Sequence, residues 1–322
     1  MQPIDRNSRN ISFPGQLGTL LGLVGAGLVI GTFISAGIWL AMTGRPLHSM
    51  ESDISNPKYY NAIMWMQAVS TFFMFYLPVY FTAMICYRNP SKFIGFNTRV
   101  NGKQVLIVLA LVALTFPLSA ALAELNKIIP ISKSWQIYFK AKEAERAVQE
   151  EALININSFS RYLISMFIIA LLPAIFEEVC FRGGIQNILI RWFKGPWAAI
   201  IITSIIFSAV HISYYGFLVR FALGIVLGLI FYYSGSLWLS ILCHFLYNGI
   251  QVTAMYASTI SGSKNNAQIE DNFPIWAGAI ALALIIYAFI KFREISLAEQ
   301  QKYVFPELED PDDFNNWITK ES

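Results

Sequence analysis

The chain has 322 residues, 56% of them hydrophobic and 13% charged, and its mean hydropathy of +0.51 is too high for a soluble domain whose surface must be wetted. It reads as an all-α, polytopic integral membrane protein whose first partner is the lipid bilayer. A formal net charge of +3, spread along the chain, gives no footing for a nucleic-acid partner and matches what positive-inside sorting leaves behind.

A hydrocarbon core about 30 Å thick needs about 20 apolar residues in helix. By that measure about eight spans are expected, near 17–42, 62–85, 104–123, 161–182, 196–213, 215–233, 236–256 and 274–292. Arg6 and Arg9 before the first span mimic a signal peptide, but no cleavage box follows and the span reads as uncleaved. Its "GLVGAGLVIG" run has the small-residue spacing that lets helices approach closely. Pro78, Pro117 and Pro173 fall inside spans and predict kinks. Between spans three and four, "SWQIYFKAKEAERAVQEEALI" reads as an amphipathic helix at the membrane surface. From Glu294 onward the chain is acidic and reads as a poorly ordered extension. The expected division is therefore a three-helix region with its surface segment over 1–156, a membrane core over 157–293 and a tail over 294–322.

Cys86, Cys180 and Cys243 lie in or beside apolar runs without C-x-x-C spacing and read as buried apolar side chains. Basic residues between Tyr87 and Lys103, with Lys291 and Arg293, favour both termini inside.

Ionised groups in mid-bilayer cost about +2.5 to +3.5 kcal/mol each on insertion scales, so every one of them is a functional hypothesis. They cluster late: Glu177, Glu178 and Arg182 on span four, His211 on span five, Arg220 on span six, His244 and Asn248 on span seven. Residues four apart share a helical face, so Glu178 meets Arg182 in the favourable i, i+4 order and Glu177 points elsewhere. A carboxylate in an apolar pocket is the kind of group enzymes use as a general base near neutrality. The same spacing puts Phe207 on the face of His211 and His244 on the face of Asn248. For these groups to meet at one depth, span four should continue through Gly183 and Gly184 toward Trp192 as a long kinked helix. Singly, each also has a plainer use: Glu178 with Arg182 as a packing ion pair, His211 as a satisfied core histidine, His244 with Asn248 as an interhelical clamp. Arg220 reads as snorkelling or pairing with an acid on another helix, and His48 as a loop residue.

The three segments "EEVCFRG", "FSAVH" and "HFLYN", in this order over residues 160–255, resemble the motifs of the CAAX prenyl protease type II family, also called Abi or CPBP intramembrane proteases. The resemblance implies an eight-helix fold with a catalytic cavity inside the bilayer and an endopeptidase activity on membrane-associated peptides or proteins. By that resemblance Glu177 with His211 activates water, His244 and Asn248 stabilise the oxyanion, and Glu178, Arg182 and Phe207 support them. A catalytic Zn²⁺ held by Glu177, His211 and His244 fits the ligand types, but H-E-x-x-H is absent, and a metal-free Glu/His mechanism is equally compatible. Relatives of this kind occur in bacteria, so the plasma membrane of a bacterium is the expected location, and the basic residues named above put the termini in the cytoplasm. Two other classes remain open: a proton-coupled or small-solute transporter, since buried Glu, His and Arg also build relays, and a catalytically idle immunity or scaffold protein. Neither substrate nor cleavage site is legible.

Overall fold

The computed structural model describes residues 8–53, 56–96, 100–154, 156–262 and 273–303. Among them the principal helices are α1 Phe13–Thr43, α2 Pro57–Cys86, α3 Gly102–Ile128, α4 Lys133–Ile154 and α5 Phe159–Phe193. They are followed by α6 Pro196–Ala209, α7 Phe217–Ser234, α8 Leu237–Ile260 and α9 Ile275–Tyr303. No strand forms among the described residues beyond one bridge between Ser8 and Tyr87. The protein is an all-α polytopic membrane protein.

Local chemistry sets the helix ends. Ser12 accepts from the backbone N–H of Gly15 at the start of α1, and Ser158 does so from Arg161 at the start of α5. Asn101 and Gln104 form a reciprocal capping box on α3. α1 and α7 stop at Gly44 and Gly235, whose φ of 65° is the left-handed conformation that glycine adopts without strain.

Helices α1, α2, α3, α5, α7 and α9 are long and apolar enough to cross a membrane. The other two expected spans are helical but depart from expectation. α6 has 14 residues, about 21 Å at 1.5 Å per residue, and ends at Ala209 rather than near 213, which leaves His211 beyond the helix. α8 has the length, at 24 residues, but Ser240, His244, Asn248 and Gln251 dilute its apolar character. α9 continues past 293 to Tyr303, and the acidic tail beyond it lies outside the described residues.

α5 continues unbroken through Gly183 and Gly184 to Phe193, as the depth argument requires. It does so with two wide π-type stretches, Met166–Leu171 and Val179–Gln186, and α2 carries a third at Phe72–Tyr76. In each, a backbone N–H reaches five residues back: Leu77 to Phe72, Leu172 to Phe167, Asn187 to Arg182. Two of the three directly precede a proline, Pro78 and Pro173. A proline donates no hydrogen bond and crowds the carbonyl four residues earlier, and a widened turn relieves both problems. Pro117 sits inside α3 without such widening.

Two apolar cores meet at α8. One joins α1, α2, α5 and α6 with Leu237 and Ile241 of α8. The other joins α3, α7 and α9 with Leu239, Cys243 and Tyr247 of α8. Of the glycine run in α1, Gly27 and Gly31 pack on α2, where a Cβ at Gly27 would run into the carbonyl of Phe73. Outward residues such as Leu21, Phe33, Leu106 and Tyr287 are exposed, as helices bathed in hydrocarbon require. α4 lies beside the connection that leads into α7, with Phe139 stacked on Tyr214 at 5.0 Å.

Candidate active site

At the seam of the two cores, α5 presents two adjacent carboxylates whose surroundings differ. Glu178 is fully buried. Its Oε1 accepts from Arg182 Nη1 at 2.8 Å and from His244 Nδ1 at 2.9 Å, and its Oε2 accepts from Ser240 Oγ at 2.7 Å. It thus ties α5 to two successive turns of α8. Arg182, also fully buried, donates from Nη2 to the Gly224 carbonyl at 3.1 Å and lies 4.8 Å over the Phe207 ring. One turn on, Gln186 donates to the Gly228 carbonyl at 3.0 Å, so α5 and α7 are laced by a four-residue repeat on both helices. A Cβ at Gly224 would lie 2.8 Å from that of Ser204, and this closeness to α6 is what the glycine permits.

Glu177, one residue earlier, takes no part in this lacing. Its side chain, 12% exposed, makes no hydrogen bond with a described residue, and its Oε2 stands 4.0 Å from His244 Nε2. His244 is therefore held between two glutamates, one on each ring nitrogen. Since a carboxylate only accepts, Nδ1 carries a proton toward Glu178. Arg182 and Arg220 both lie within electrostatic range of Glu177. Arg220, on the second turn of α7, is half-buried with its guanidinium over Gly216, where a Cβ would meet it. Asn248, one turn after His244, is half-buried and makes no hydrogen bond among the described residues.

His211 stands just past the end of α6. Its backbone N–H reaches Ser208 O at 3.3 Å, and its Nδ1 meets Phe207 O at 2.7 Å. The carbonyl that would have continued the helix is thereby capped by the side chain instead, which is why the helix stops short of the expected span. The carbonyl can only accept, so Nδ1 of His211 is protonated and Nε2 keeps its lone pair in the neutral ring. Phe207 organises the neighbourhood: its ring packs edge-on against His211 at 5.1 Å, His244 at 5.9 Å and Phe181 at 5.1 Å. Both imidazoles thus border one phenyl ring.

The structure brings Glu177, Glu178, Arg182, Phe207 and His244 into one cluster, with His211 attached through Phe207 and Asn248 one helical turn above. The expected metal set of Glu177, His211 and His244 does not form a ligand cage. Among the described residues no three His, Cys, Asp or Glu side chains are grouped to hold an ion. The bond from His244 Nδ1 to Glu178 leaves Nε2 as the ring's only nitrogen for a ligand, and the three donors are not gathered as a three-ligand zinc site would gather them. Cys86, Cys180 and Cys243 are buried thiols, with no disulfide among them. Ser240 was not singled out from the sequence, although it precedes His244 by four residues on the same face. Gly224 and Gly228 were missed too, and their four-residue spacing opposite Arg182 and Gln186 is the signal that was present.

A bundle of apolar helices closed around a buried Glu/Arg/His cluster defines a membrane protein with an ionisable centre inside its own core. Residues 159–250, which hold all of these motif residues, match the family model of the Type II CAAX prenyl endopeptidase Rce1-like domain. Over 122 residues, 36% of this chain, it is 29% identical to a Bacillus subtilis (strain 168) protein described as "Uncharacterized protein YpbD". It spans 60% of that relative's length. No solved structure matches the chain.

Proposed function

We propose that the protein is an intramembrane endopeptidase that hydrolyses a peptide bond of a membrane-associated peptide or protein, with Glu177 as the general base. The observation that carries this reading is the division of labour between neighbours. Glu178 is saturated by Arg182, His244 and Ser240, whereas Glu177 has acceptor oxygens unspent beside an imidazole 4.0 Å away. A base must be able to take a proton, and only the second carboxylate has that capacity.

In this mechanism Glu177 removes a proton from water as the water attacks the scissile carbonyl, and it returns that proton to the amine nitrogen as the tetrahedral intermediate collapses and the C–N bond breaks. His211, whose ring is held through Nδ1 by Phe207 O, orients that water. His244 and Asn248 stabilise the oxyanion. The amide of Asn248 donates directly, and a proton on His244 Nε2 would serve as the second donor, with Glu178 bonded at the ring's other nitrogen. One such donor is worth about 2.7–4 kcal/mol in a soluble protease. Glu178 and Arg182 hold the His244 ring in place through its Nδ1, and Phe207 separates the two imidazoles. The reading needs neither a serine or cysteine nucleophile nor a metal. The match of residues 159–250 to an endopeptidase family supports it. Arg88, Lys92 and Lys103 after α2, with Lys194 after α5, support cytoplasmic termini.

The test compares membrane peptides from cells carrying wild-type or Glu177→Gln protein. Uncleaved membrane peptides should accumulate with the variant, while its expression and helix content match the wild type. Identical peptide profiles, or solute flux through proteoliposomes that depends on Glu177, would overturn the assignment.

A further inference from the structure

His211 stands on the connection between α6 and α7, which is held partly by its own bonds, Ile212 N–H to Ala209 O at 3.0 Å and Gly216 N–H to Ser213 Oγ at 3.2 Å. Val210 and Ile212 are exposed. Ile212 has φ 51°, a conformation that a β-branched side chain adopts only when its surroundings impose it. Gly216, the residue before α7, offers no capping side chain. The last turn of α3 adds a clamp from outside the connection. Asn126 is 1% exposed; its Nδ2 donates to Tyr214 O at 2.9 Å and its Oδ1 accepts from Leu218 N at 3.1 Å. One amide therefore satisfies a carbonyl of the connection and an orphan N–H in the first turn of α7, the service an N-cap residue normally renders from within its own helix. Tyr214 extends the clamp, donating to Ile129 O at 3.2 Å and stacking on Phe139. Ser213 donates to Glu143 of α4 at 3.3 Å.

We infer that Asn126 is a positioning residue: by clamping Tyr214 O and Leu218 N it fixes the connection that seats His211 against Phe207. This rests on the reading of His211 as a reaction-centre group. Asn is the side chain the geometry demands, because one arm must donate and the other accept. An aspartate of the same shape keeps the cap on Leu218, and its charge suits a helix N-terminus, but it sets an oxygen against the Tyr214 carbonyl. Asn126→Asp therefore breaks one bond with the fold held, whereas Asn126→Ala breaks both.

The chain has three histidines, so the full-length protein labelled with 13C at histidine Cε1 gives three ring signals, assigned with His48→Gln and His211→Gln. The His211 signal should move or split in Asn126→Asp and Asn126→Ala while that of His48 stays in place. With a membrane peptide that accumulates in Glu177→Gln cells as substrate, kcat should fall on the order of a hundredfold, the scale of a misplacement of about 1 Å, with little change in KM. An unmoved His211 signal in the folded Asp variant overturns the inference, whatever the rate. A moved signal with wild-type turnover leaves the positioning intact and sinks the catalytic reading of His211 instead. Should the alanine variant fail to fold, the aspartate variant decides.

Discussion

Two adjacent glutamates should fail in opposite ways when each loses its charge. In Glu178→Gln the side chain keeps its length, but Arg182, whose side chain is fully buried, loses the carboxylate 2.8 Å away. The new amide can accept with only one oxygen. Of the bonds to Arg182, His244 and Ser240, at least one then faces an N–H₂ group rather than an acceptor. Removing one partner of a buried ion pair costs about 3–5 kcal/mol because the other charge is left uncompensated. Glu177→Gln removes no hydrogen bond with a described residue and leaves a contact of 4.0 Å, so its effect on stability should be clearly smaller than that of Glu178→Gln. Its effect on peptide cleavage should be complete. The assay is reversible unfolding in mixed micelles with denaturant, read by near-ultraviolet dichroism, alongside cleavage at matched folded protein. A Glu177→Gln loss of stability equal to that of Glu178→Gln would refute the separation of roles, as would a Glu178→Gln protein as stable as the wild type.

Within the glycine run of α1, Gly27→Ala should lower folded yield and thermal midpoint, because the methyl meets the Phe73 carbonyl. Gly25→Ala, where nothing lies within 4 Å, should leave stability unchanged or raise it by up to about 1 kcal/mol through helix propensity. Equal effects at the two positions would mean α1 and α2 do not approach as described. Chelation of divalent ions should leave cleavage intact and excess zinc should not raise it, since the donors do not converge on a common point. A loss of activity with chelator that zinc reverses would show that Glu177, His211 and His244 rearrange into a metal site. Gly224→Ala should destabilise by about 1–3 kcal/mol through overpacking on Ser204, visible as a lower unfolding midpoint in the same micelle assay.

The helices were legible because their signal is one-dimensional: apolar stretches of sufficient length, broken by loops. So was the pairing of Glu178 with Arg182, which depends only on a four-residue spacing, and so was the passage of α5 through two glycines. What could not be read was any relation set by one helix upon another. His211 was expected on a span, and it lies outside one because its own ring caps Phe207 O, a contact no periodicity reveals. The bond from Glu178 to His244 depends on where α8 crosses α5, and Ser240 and Gly224 enter for the same reason. Asn126 lies 88 positions before the carbonyl it clamps, and in the sequence it is merely a polar residue near the end of an apolar run.

The widened turns of α5 have a consequence for anyone wishing to move this site to another scaffold. Each holds one residue more than an ordinary turn, so everything downstream is rotated by about 100° relative to a straight helix. Copying residues 159–193 onto an idealised rod would keep every letter and lose the azimuth: the paired acids would swing away from α8. The widened turns and their surplus residues must travel together, as a single inherited unit of geometry.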